Sequence, residues 1–535
     1  MLRPAVLLVL AAGCASDLSL ESRCQGRRFD VLQRGAAGDG RSDDTQALQA
    51  SLEAAAAVAG GGGPAPCVLL QSGVFLSGGL ELRPGVTLYI DGSAILRAST
   101  NGSAWLPRAV PNLVSGTWAH GAAVVGEGVL DAQCPEYVTG SGHASAARDG
   151  SSYWTDQLTF SALDIPGHGN QRVGVLSVRD SVGVRVEGVT LADSHSWTSA
   201  FWNCTDLLVS EVKIYGDWRM PNNDGVRASP PAAGLLAGWL SASAQADWHG
   251  GCWQIDPCSC TNATLQHLDV NVGDDAVSPK TNVKDGAGYL PMRGLTVRAS
   301  RLRSRSFAVK FGTETHGDMS AVVIDRVHIY SSHQGIGIDW RGAGNLRGAV
   351  FSNINIHRAQ WDGSGSYDDP HWMGNAQPIF ISNDVWANNP DSGTGGVTQL
   401  RFENITSVSE NGVMISGRGG RVEGIELVNV RLVIQQRPKN NATNGPHPAH
   451  NYHPTNPDST TTPPHWDPTG DMPDKDAPVD GFFVEHASQV SFEGCSVSFV
   501  GRAEPGNSFG ECVRLGNGTG GVEPVALAAC RPPAR

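Results

Sequence analysis

The stretch Val184-Arg-Val-Glu-Gly-Val-Thr-Leu191 joins two short β-rich triplets across a tight turn that contains glycine. Related strand-rich pieces recur along most of the chain. They are Val86-Thr-Leu-Tyr-Ile90, Leu207-Leu-Val-Ser-Glu-Val-Lys-Ile214, Ala321-Val-Val-Ile-Asp-Arg-Val-His-Ile329, Ala349-Val-Phe-Ser-Asn-Ile-Asn-Ile356, Gly424-Ile-Glu-Leu-Val-Asn-Val-Arg-Leu432 and Val490-Ser-Phe-Glu-Gly-Cys-Ser-Val497. Their spacing is often roughly 20–30 residues, which is typical of a solenoid whose coils stack on one another.

This repetition predicts an all-β fold, a single parallel β-helix over residues 27–535. A β-sandwich or a propeller also has short strands, but neither would readily repeat one strand-turn-strand phrase over so long a stretch. Before the strands, residues 46–59 have the pattern of one amphipathic helix, and Asp43 with Gln46 form a helix N-cap signature. We expect this helix to cap the open end of the solenoid.

The composition and net charge of the chain argue against some classes of protein and favour others. The chain has 535 residues and a net charge of −13, which argues against nucleic acid as a partner. Residues 1–16 have the pattern of a secretory signal peptide, with Arg3 before a short apolar run, although a buried N-terminal helix or a lipoprotein signal at Cys14 would look similar. The apolar run is too short to span a membrane, and we expect a secreted protein that acts as a monomer.

An exported chain is expected to carry disulfides and glycans. Eleven cysteines become ten if Cys14 leaves with the signal peptide, and an even number favours disulfides. Asn-x-Ser/Thr sequons permit glycosylation. They begin at Asn101, Asn203, Asn262, Asn404, Asn441 and Asn517.

A cluster of aspartates provides the candidate catalytic residues. Asp224 ends one strand-turn unit, and Asp274 and Asp275 end the next. Equivalent positions in stacked coils lie about 5 Å apart, so these carboxylates would crowd together and at least one pKa would rise. Glycoside hydrolysis needs such a pair, one acid and one base. Taken singly, Asp-Gly and Gly-Asp-Asp are also ordinary turn sequences.

The chain resembles glycoside hydrolase family 28, the polygalacturonase and rhamnogalacturonase group of the pectin-lyase-like superfamily. The resemblance spans roughly Phe29 to Val500 and depends on an ordered set of motifs. They are Gly38-Asp-Gly40 with Asp43-Asp-Thr45, Gly126-Glu-Gly-Val-Leu-Asp131, Ser196-Trp-Thr198, Asn203-Cys-Thr-Asp206, Asn223-Asp-Gly225 and Gly273-Asp-Asp275. The resemblance implies a right-handed β-helix and hydrolysis that inverts the anomeric centre without a metal or other cofactor.

By position, the resemblance makes Asp274 the general acid, while Asp224 and Asp275 orient and deprotonate water. The inverting geometry predicts a gap of about 6.5–9.5 Å between acid and base. The expected activity is therefore cleavage of a pectic or related acidic polysaccharide.

Two departures from the family pattern concern the substrate. The polygalacturonases carry Gly-His-Gly where this chain has Ser304-Arg-Ser306, and an Arg-Ile-Lys that grips the uronate carboxylate where this chain has Gly337-Ile-Asp339. A carboxylate at Asp339 would repel galacturonate, and Lys310, His316 or Arg341 are candidates to supply a substrate contact instead. Each of these three has a structural role as an equal alternative.

The tryptophans near the expected cleft have two alternative roles, packing within the protein or stacking on a sugar ring. Trp197 and Trp202 are predicted to pack, whereas Trp340 and Trp372 are as well suited to stacking on a sugar ring as to packing. Asp39, Asp43 and Asp44 are most simply turn and capping residues.

Two segments break the strand rhythm. Residues 436–478 are rich in Pro, Asn, Thr, His and Asp, and predict a long loop. The 29 residues Val226–Gln254 follow Asp224-Gly225 directly, and removing them gives Asn-Asn-Asp-Gly-Ile-Asp-Pro, which restores the family pattern. Valine codons begin with GT and glutamine can be encoded by CAG, the bases that bound introns. A retained intron is one hypothesis, and a genuine insertion beside the catalytic aspartate is the other.

Two other functions are compatible with the same pattern. A polysaccharide lyase would use Lys310 or Arg341 as base and hold calcium at Asp274 and Asp275. A non-catalytic wall-binding β-helix would scatter the aspartates or tie them into ion pairs.

Overall fold

A computed structural model of the chain describes residues 19–106, 111–141, 158–217, 255–312, 314–359, 376–383, 393, 395–435, 479–500, 509–521 and 527–531. Helices are few and short in this part of the chain. The α-helices are Leu20–Arg23 and Thr45–Ala56, and the 3-10 turns are Leu32–Arg34, Gly102–Ala104 and Cys134–Tyr137.

Short strands make up most of the rest. In the first half they are Arg28–Asp30, Asp39–Asp43, Cys67–Ser77, Leu80–Glu81, Thr87–Ala98, Asn112–Thr117, Ala123–Gly126, Val129–Asp131, Val138–Ser141, Leu158–Phe160, Leu163–Ile165, Gly169–Gln171, Gly174–Arg179, Arg185–Glu187, Thr190–Ala192, Ser199–Trp202, Thr205–Ser210 and Lys213–Tyr215. Those that follow are Ile255–Cys258, Thr261–Gln266, Asp269–Val272, Lys284–Asp285, Gly288–Tyr289, Met292–Phe311, Met319–Trp340, Leu346–Arg347, Val350–Ser352, Asn355–Ala359, Ile379–Asn383, Val397–Glu403, Thr406–Ser409, Val413–Ser416, Val422–Val428, Arg431–Gln435, Phe482–Glu485, Ser488–Glu493, Ser496–Val500, Val513–Leu515 and Ala529–Arg531.

Parallel pairing stacks these strands coil upon coil. One register column runs through most of the described solenoid. It comprises Phe29, Val68, Leu88, Val124, Val186, Val209, Leu265, Val297, Ile324, Phe351, Phe402, Leu427 and Phe492. All of these side chains are buried in one core. The predicted right-handed parallel β-helix is therefore confirmed, and its core is a ladder of like apolar residues.

The helix Thr45–Ala56 closes one end of this core. Leu48, Leu52 and Ala55 are buried against it, and the Gln49 amide exchanges two hydrogen bonds with the backbone of Glu81. A side-chain amide therefore satisfies peptide groups at the edge of the strand Leu80–Glu81. The capping helix is confirmed.

The start of this helix differs slightly from the prediction. The helix begins at Thr45, one residue earlier than expected, with Asp44 as its N-cap residue. The Asp44 carboxylate accepts hydrogen bonds from the Ala37 and Gly38 amides instead of capping the helix, while Asp43 binds Thr45. Asp39 accepts from the Arg41 and Ser42 amides. The prediction that these aspartates serve turns and caps is confirmed.

Disulfides are present, as expected from the cysteine count. Cys24 bonds to Cys67 and Cys512 to Cys530, and Cys258 is also disulfide-bonded. Free buried thiols are found at Cys134, Cys204, Cys260 and Cys495. None of the helices described is long and apolar enough to cross a membrane.

Three segments for which the sequence made predictions lie outside the described residues. They are the signal peptide at 1–16, the segment Val226–Gln254 and the long loop at 436–478.

Candidate active site

Asp274 and Asp275 lie where the chain leaves the strand Asp269–Val272 and turns toward the next face of the solenoid. Both side chains are buried, with 1% and 0% of their surface exposed. The following coil contributes the end of the strand Met292–Phe311, which contacts this turn. The backbone of Ala276 donates to the carbonyl of Phe307. Coil stacking therefore holds the two carboxylates against one strand.

Asp275 is fixed by two groups from that strand. Its Oδ1 accepts a hydrogen bond from the Phe307 amide at 3.0 Å, and its Oδ2 lies 3.1 Å from Lys310 Nζ in an ion pair. A charge-assisted contact to lysine favours the ionised carboxylate. Asp275 is therefore the ion-pair partner of Lys310.

Asp274 has a different environment. Its Oδ1 accepts from the Asp275 amide at 2.8 Å, whereas its Oδ2 is buried and has no hydrogen-bond partner in the described part of the chain. Burial first, and then the negative charge of Asp275, raises the pKa of Asp274 from 3.8 to about 7, although Lys310 opposes the shift. Asp274 is thus a buried acid that keeps its proton up to neutral pH.

The serines that replace Gly-His-Gly support the backbone beneath Asp274. Ser304 Oγ donates to the carbonyl of Asp274 at 2.6 Å, and it accepts from the Ser306 amide at 2.8 Å. Arg305 is almost fully buried. This supporting role was missed in the sequence, where the two serines only marked a departure from the family.

Lys310 lies at the aspartates, as the substrate-binding prediction required, but its ammonium is paired with Asp275. Burial opposes its charge, yet the neighbouring carboxylates of Asp275, Asp339 and Asp274 outweigh burial and raise the pKa of Lys310. The ammonium also lies 5.2 Å from the centre of the Phe307 ring. Its observed contacts are structural, and substrate contact stays a prediction.

Asp339 and Arg341 form a second buried ion pair. Arg341 Nε and Nη2 each lie 2.7 Å from one oxygen of the Asp339 carboxylate, which is a bidentate contact. A guanidinium therefore neutralises the Asp339 carboxylate in the structure, and the predicted repulsion of galacturonate stays a prediction. Arg341 is correspondingly engaged by protein.

His316 is half-buried, and its ring stacks on Tyr289 with centroids 4.5 Å apart. Its amide donates to the carbonyl of Thr281 at 3.1 Å. These contacts are structural, and the predicted substrate contact of His316 stays a prediction.

The tryptophans divide as follows. Trp340 is fully buried and its Nε1 donates to the carbonyl of Gly344 at 2.7 Å, so the stacking interpretation is wrong for this residue. Trp197 and Trp202 pack against each other with ring centroids 5.7 Å apart, which confirms their packing role. Trp372 lies outside the described residues.

Asp224 also lies outside the described residues, so its role and the acid-to-base gap stay predictions. Among the described residues, no group of three or more His, Cys, Asp or Glu side chains is placed to hold a metal ion.

Comparisons with known proteins place the fold and the site in context. No family model matches the sequence. The chain is similar to an exopolygalacturonase of Zea mays, 27% identical over 400 residues that cover 73% of this chain and 79% of the relative. It is also similar to a protein named probable polygalacturonase of Vitis vinifera, 22% identical over 373 residues, or 67% of each chain. Among solved structures, a family 28 exopolygalacturonase of Yersinia enterocolitica aligns with a TM-score of 0.57 at 13% identity, covering 93% of this chain and 79% of that one.

These similarities confirm the resemblance that the motifs indicated. The chain is similar in sequence to the polygalacturonases, at 22% and 27% identity, and is built on a parallel β-helix. The comparisons support a polygalacturonase-like glycosidase that is a divergent relative of glycoside hydrolase family 28.

Proposed function

We propose that this protein is a secreted hydrolase that cleaves glycosidic bonds of a pectic or related acidic polysaccharide by an inverting, metal-independent acid/base mechanism. The observation that carries the proposal is the unequal pair Asp274 and Asp275. The two adjacent buried carboxylates have different environments, since one is paired with Lys310 and the other has a pKa of about 7. A difference of environment between two carboxylates lets one site present an acid and a base at the same pH.

In this mechanism Asp274 Oδ2 gives its proton to the glycosidic oxygen as the bond from that oxygen to the anomeric carbon breaks. Water forms the new bond to that carbon from the opposite face and passes a proton to a carboxylate. Asp275 and Asp224 are the residues proposed to orient and deprotonate this water. Burial supports the acid role, because the buried Asp274 favours its neutral form until a proton acceptor arrives.

Secretion is part of the same proposal. Residues 1–16 have the composition of a signal peptide, and disulfides such as Cys24–Cys67 are typical of proteins that fold in an oxidising compartment.

The test is incubation of the full chain with pectic polymers while reducing ends and ultraviolet absorbance are followed together, with and without a chelator. We expect reducing ends to appear without unsaturated products, and at the same rate with chelator. Unsaturated, ultraviolet-absorbing products, or loss of activity with chelator, would favour a lyase instead. Release of no product from any polymer would favour a binding protein.

A further inference from the structure

Three cations around the two aspartates are already matched by carboxylates of the protein. Lys310 pairs with Asp275, and Arg341 pairs with Asp339 through two hydrogen bonds. The third nearby cation, Lys280, is completely buried with its ammonium 2.5 Å from Glu314. An acidic sugar placed here would therefore have to compete with an existing partner for any of these three charges.

The position of the family arginine is closed to any side chain. A Cβ atom on Gly337 would lie 2.1 Å from Cε1 of Phe307, so the Phe307 ring fills the space that a longer residue needs. That ring is tilted against Phe380, with centroids 6.3 Å apart. Phe380 in turn packs on Met414 and Phe483. Aromatic side chains therefore lie where the family has a cation, with 6% of Phe307 exposed and Phe380 partly exposed.

Charge balance decides what such a surface can hold. A uronate carboxylate beside Phe307 and Asp339 would lose its hydration, while Lys310, Arg341 and Lys280 are already paired with carboxylates. A buried charge without a compensating partner is strongly unfavourable. A methyl ester or a neutral sugar loses little by the same transfer, and its apolar face matches the aromatic rings.

We propose that the sugar unit bound against the strand segment Gly337–Asp339 is uncharged, with its carboxyl group esterified or absent. This inference rests on the proposed hydrolysis of pectic polymers and specifies the unit that the site accepts. The Asp339–Arg341 pair and the Phe307 ring are then specificity-determining groups, and the protein cuts pectin where free galacturonate is interrupted.

The first test uses the full wild-type chain on four substrates: de-esterified polygalacturonate, highly methyl-esterified pectin, a rhamnogalacturonan backbone and a neutral galactan. We expect kcat/KM to be at least about tenfold higher on esterified pectin or on one of the polymers with neutral units than on polygalacturonate, as expected when one charged contact is unmatched. The esterified and the neutral substrates distinguish the two sources of an uncharged unit. If polygalacturonate is cleaved as well as or better than all the other substrates, the inference is overturned, but the proposed hydrolysis is still supported. No cleavage of any polymer removes both.

The second test frees Arg341 with Asp339→Asn. We expect activity on polygalacturonate to rise by about tenfold relative to esterified pectin, because a released guanidinium can bind a uronate carboxylate. The matched control is Glu485→Gln, since Glu485 is held in the same bidentate way by Arg418. Glu485 lies three coils away at the equivalent strand position, through Ser382 and Ser416.

Both variants remove the carboxylate partner of an arginine, which is buried in the case of Arg341 and partly exposed in the case of Arg418. Thermal melts of both variants report any general loss of folding. A change of preference in Asp339→Asn alone supports the inference. The same preference in wild type and both variants contradicts the assignment of Asp339. If Asp339→Asn does not fold, the wild-type substrate comparison still decides the question.

Discussion

Replacing Asp274 by Asn removes the proton that the mechanism needs and leaves the shape of the side chain nearly unchanged. General acid catalysis contributes about 10²–10⁴-fold to a rate, so we expect kcat to fall by that factor while KM changes little. The alkaline side of the wild-type pH profile should follow the ionisation of Asp274 at a pKa of about 7. That limb should be absent from whatever activity remains in the variant.

The same substitution, which lowers the activity, should raise the stability of the folded protein at neutral pH. In the unfolded chain Asp274 titrates near 3.8, and in the folded protein its pKa is about 7. Below about pH 4 both states hold the proton and the group contributes no difference. As the pH rises to about 7 the unfolded state ionises while the folded state must keep its proton, so the free energy of unfolding falls.

The magnitude follows from the two pKa values. The rise from 3.8 to about 7 corresponds to at most about 4 kcal/mol. Asp274→Asn lacks this ionisation, so its free energy of unfolding relative to wild type should increase by up to about that amount between pH 4 and pH 8.

Denaturant unfolding at a series of pH values measures this difference, and reducing-end release measures the kinetics. Asp269→Asn is the matched control, since that aspartate lies in the preceding strand with about a third of its side chain exposed. It should show neither effect. Full activity in Asp274→Asn would refute the acid assignment, and a stability difference that does not grow with pH would refute the raised pKa.

Three further predictions concern the surroundings of the site. Lys310→Met should lower the free energy of unfolding by about 3–5 kcal/mol and lower kcat, because it leaves a buried carboxylate unpaired, and a thermal melt that matches wild type would contradict this. Gly337→Ala should cost about 1–3 kcal/mol through its clash with Phe307, whereas Gly63→Ala, which meets no atom within 4 Å, should melt close to wild type. Equal melting temperatures of the two alanine variants would count against the tight contact. If residues 226–254 are a retained intron, deleting them should not lower the stability or the activity of the protein. Transcripts that run continuously through the segment would show instead that it is a genuine insertion.

The coil continues on both sides of the segment 226–254. Residues 132–173, 193–198 and 216–254 make the corresponding connection in three successive coils, so a long connection also occurs at 132–173. The strand Ile255–Cys258 pairs with Ser199–Trp202 without a shift in register, so the coil resumes at Ile255.

The fold could be predicted because the same sequence pattern recurs in each coil of a solenoid. Each coil places similar residues at the same position, so that the column from Phe29 to Phe492 is visible as a recurring apolar phrase. The crowding of Asp274 and Asp275 follows from their adjacency and from burial. The capping helix was recognisable from its period and its N-cap signature.

The residues predicted to bind substrate were harder to interpret from sequence, because their roles depend on which ion pair each charged side chain forms. The Arg341–Asp339 pair had a signal in the sequence, since residues two apart on an extended strand point to the same side. The Lys310–Asp275 pair had none, because it requires the register between two coils. The sequence left stacking and packing open for Trp340 for a similar reason, as only the packing shows that its ring faces the core.

The protonation state of Asp274 is the claim on which hydrolysis, pH dependence and the stability effect all depend. Infrared difference spectra of wild type minus Asp274→Asn, recorded from pH 3 to pH 9, isolate the carboxyl band of this one residue. We expect the protonated band to disappear with a midpoint near 7. A midpoint near the ordinary value of 3.8 would contradict the assignment of Asp274 as the acid.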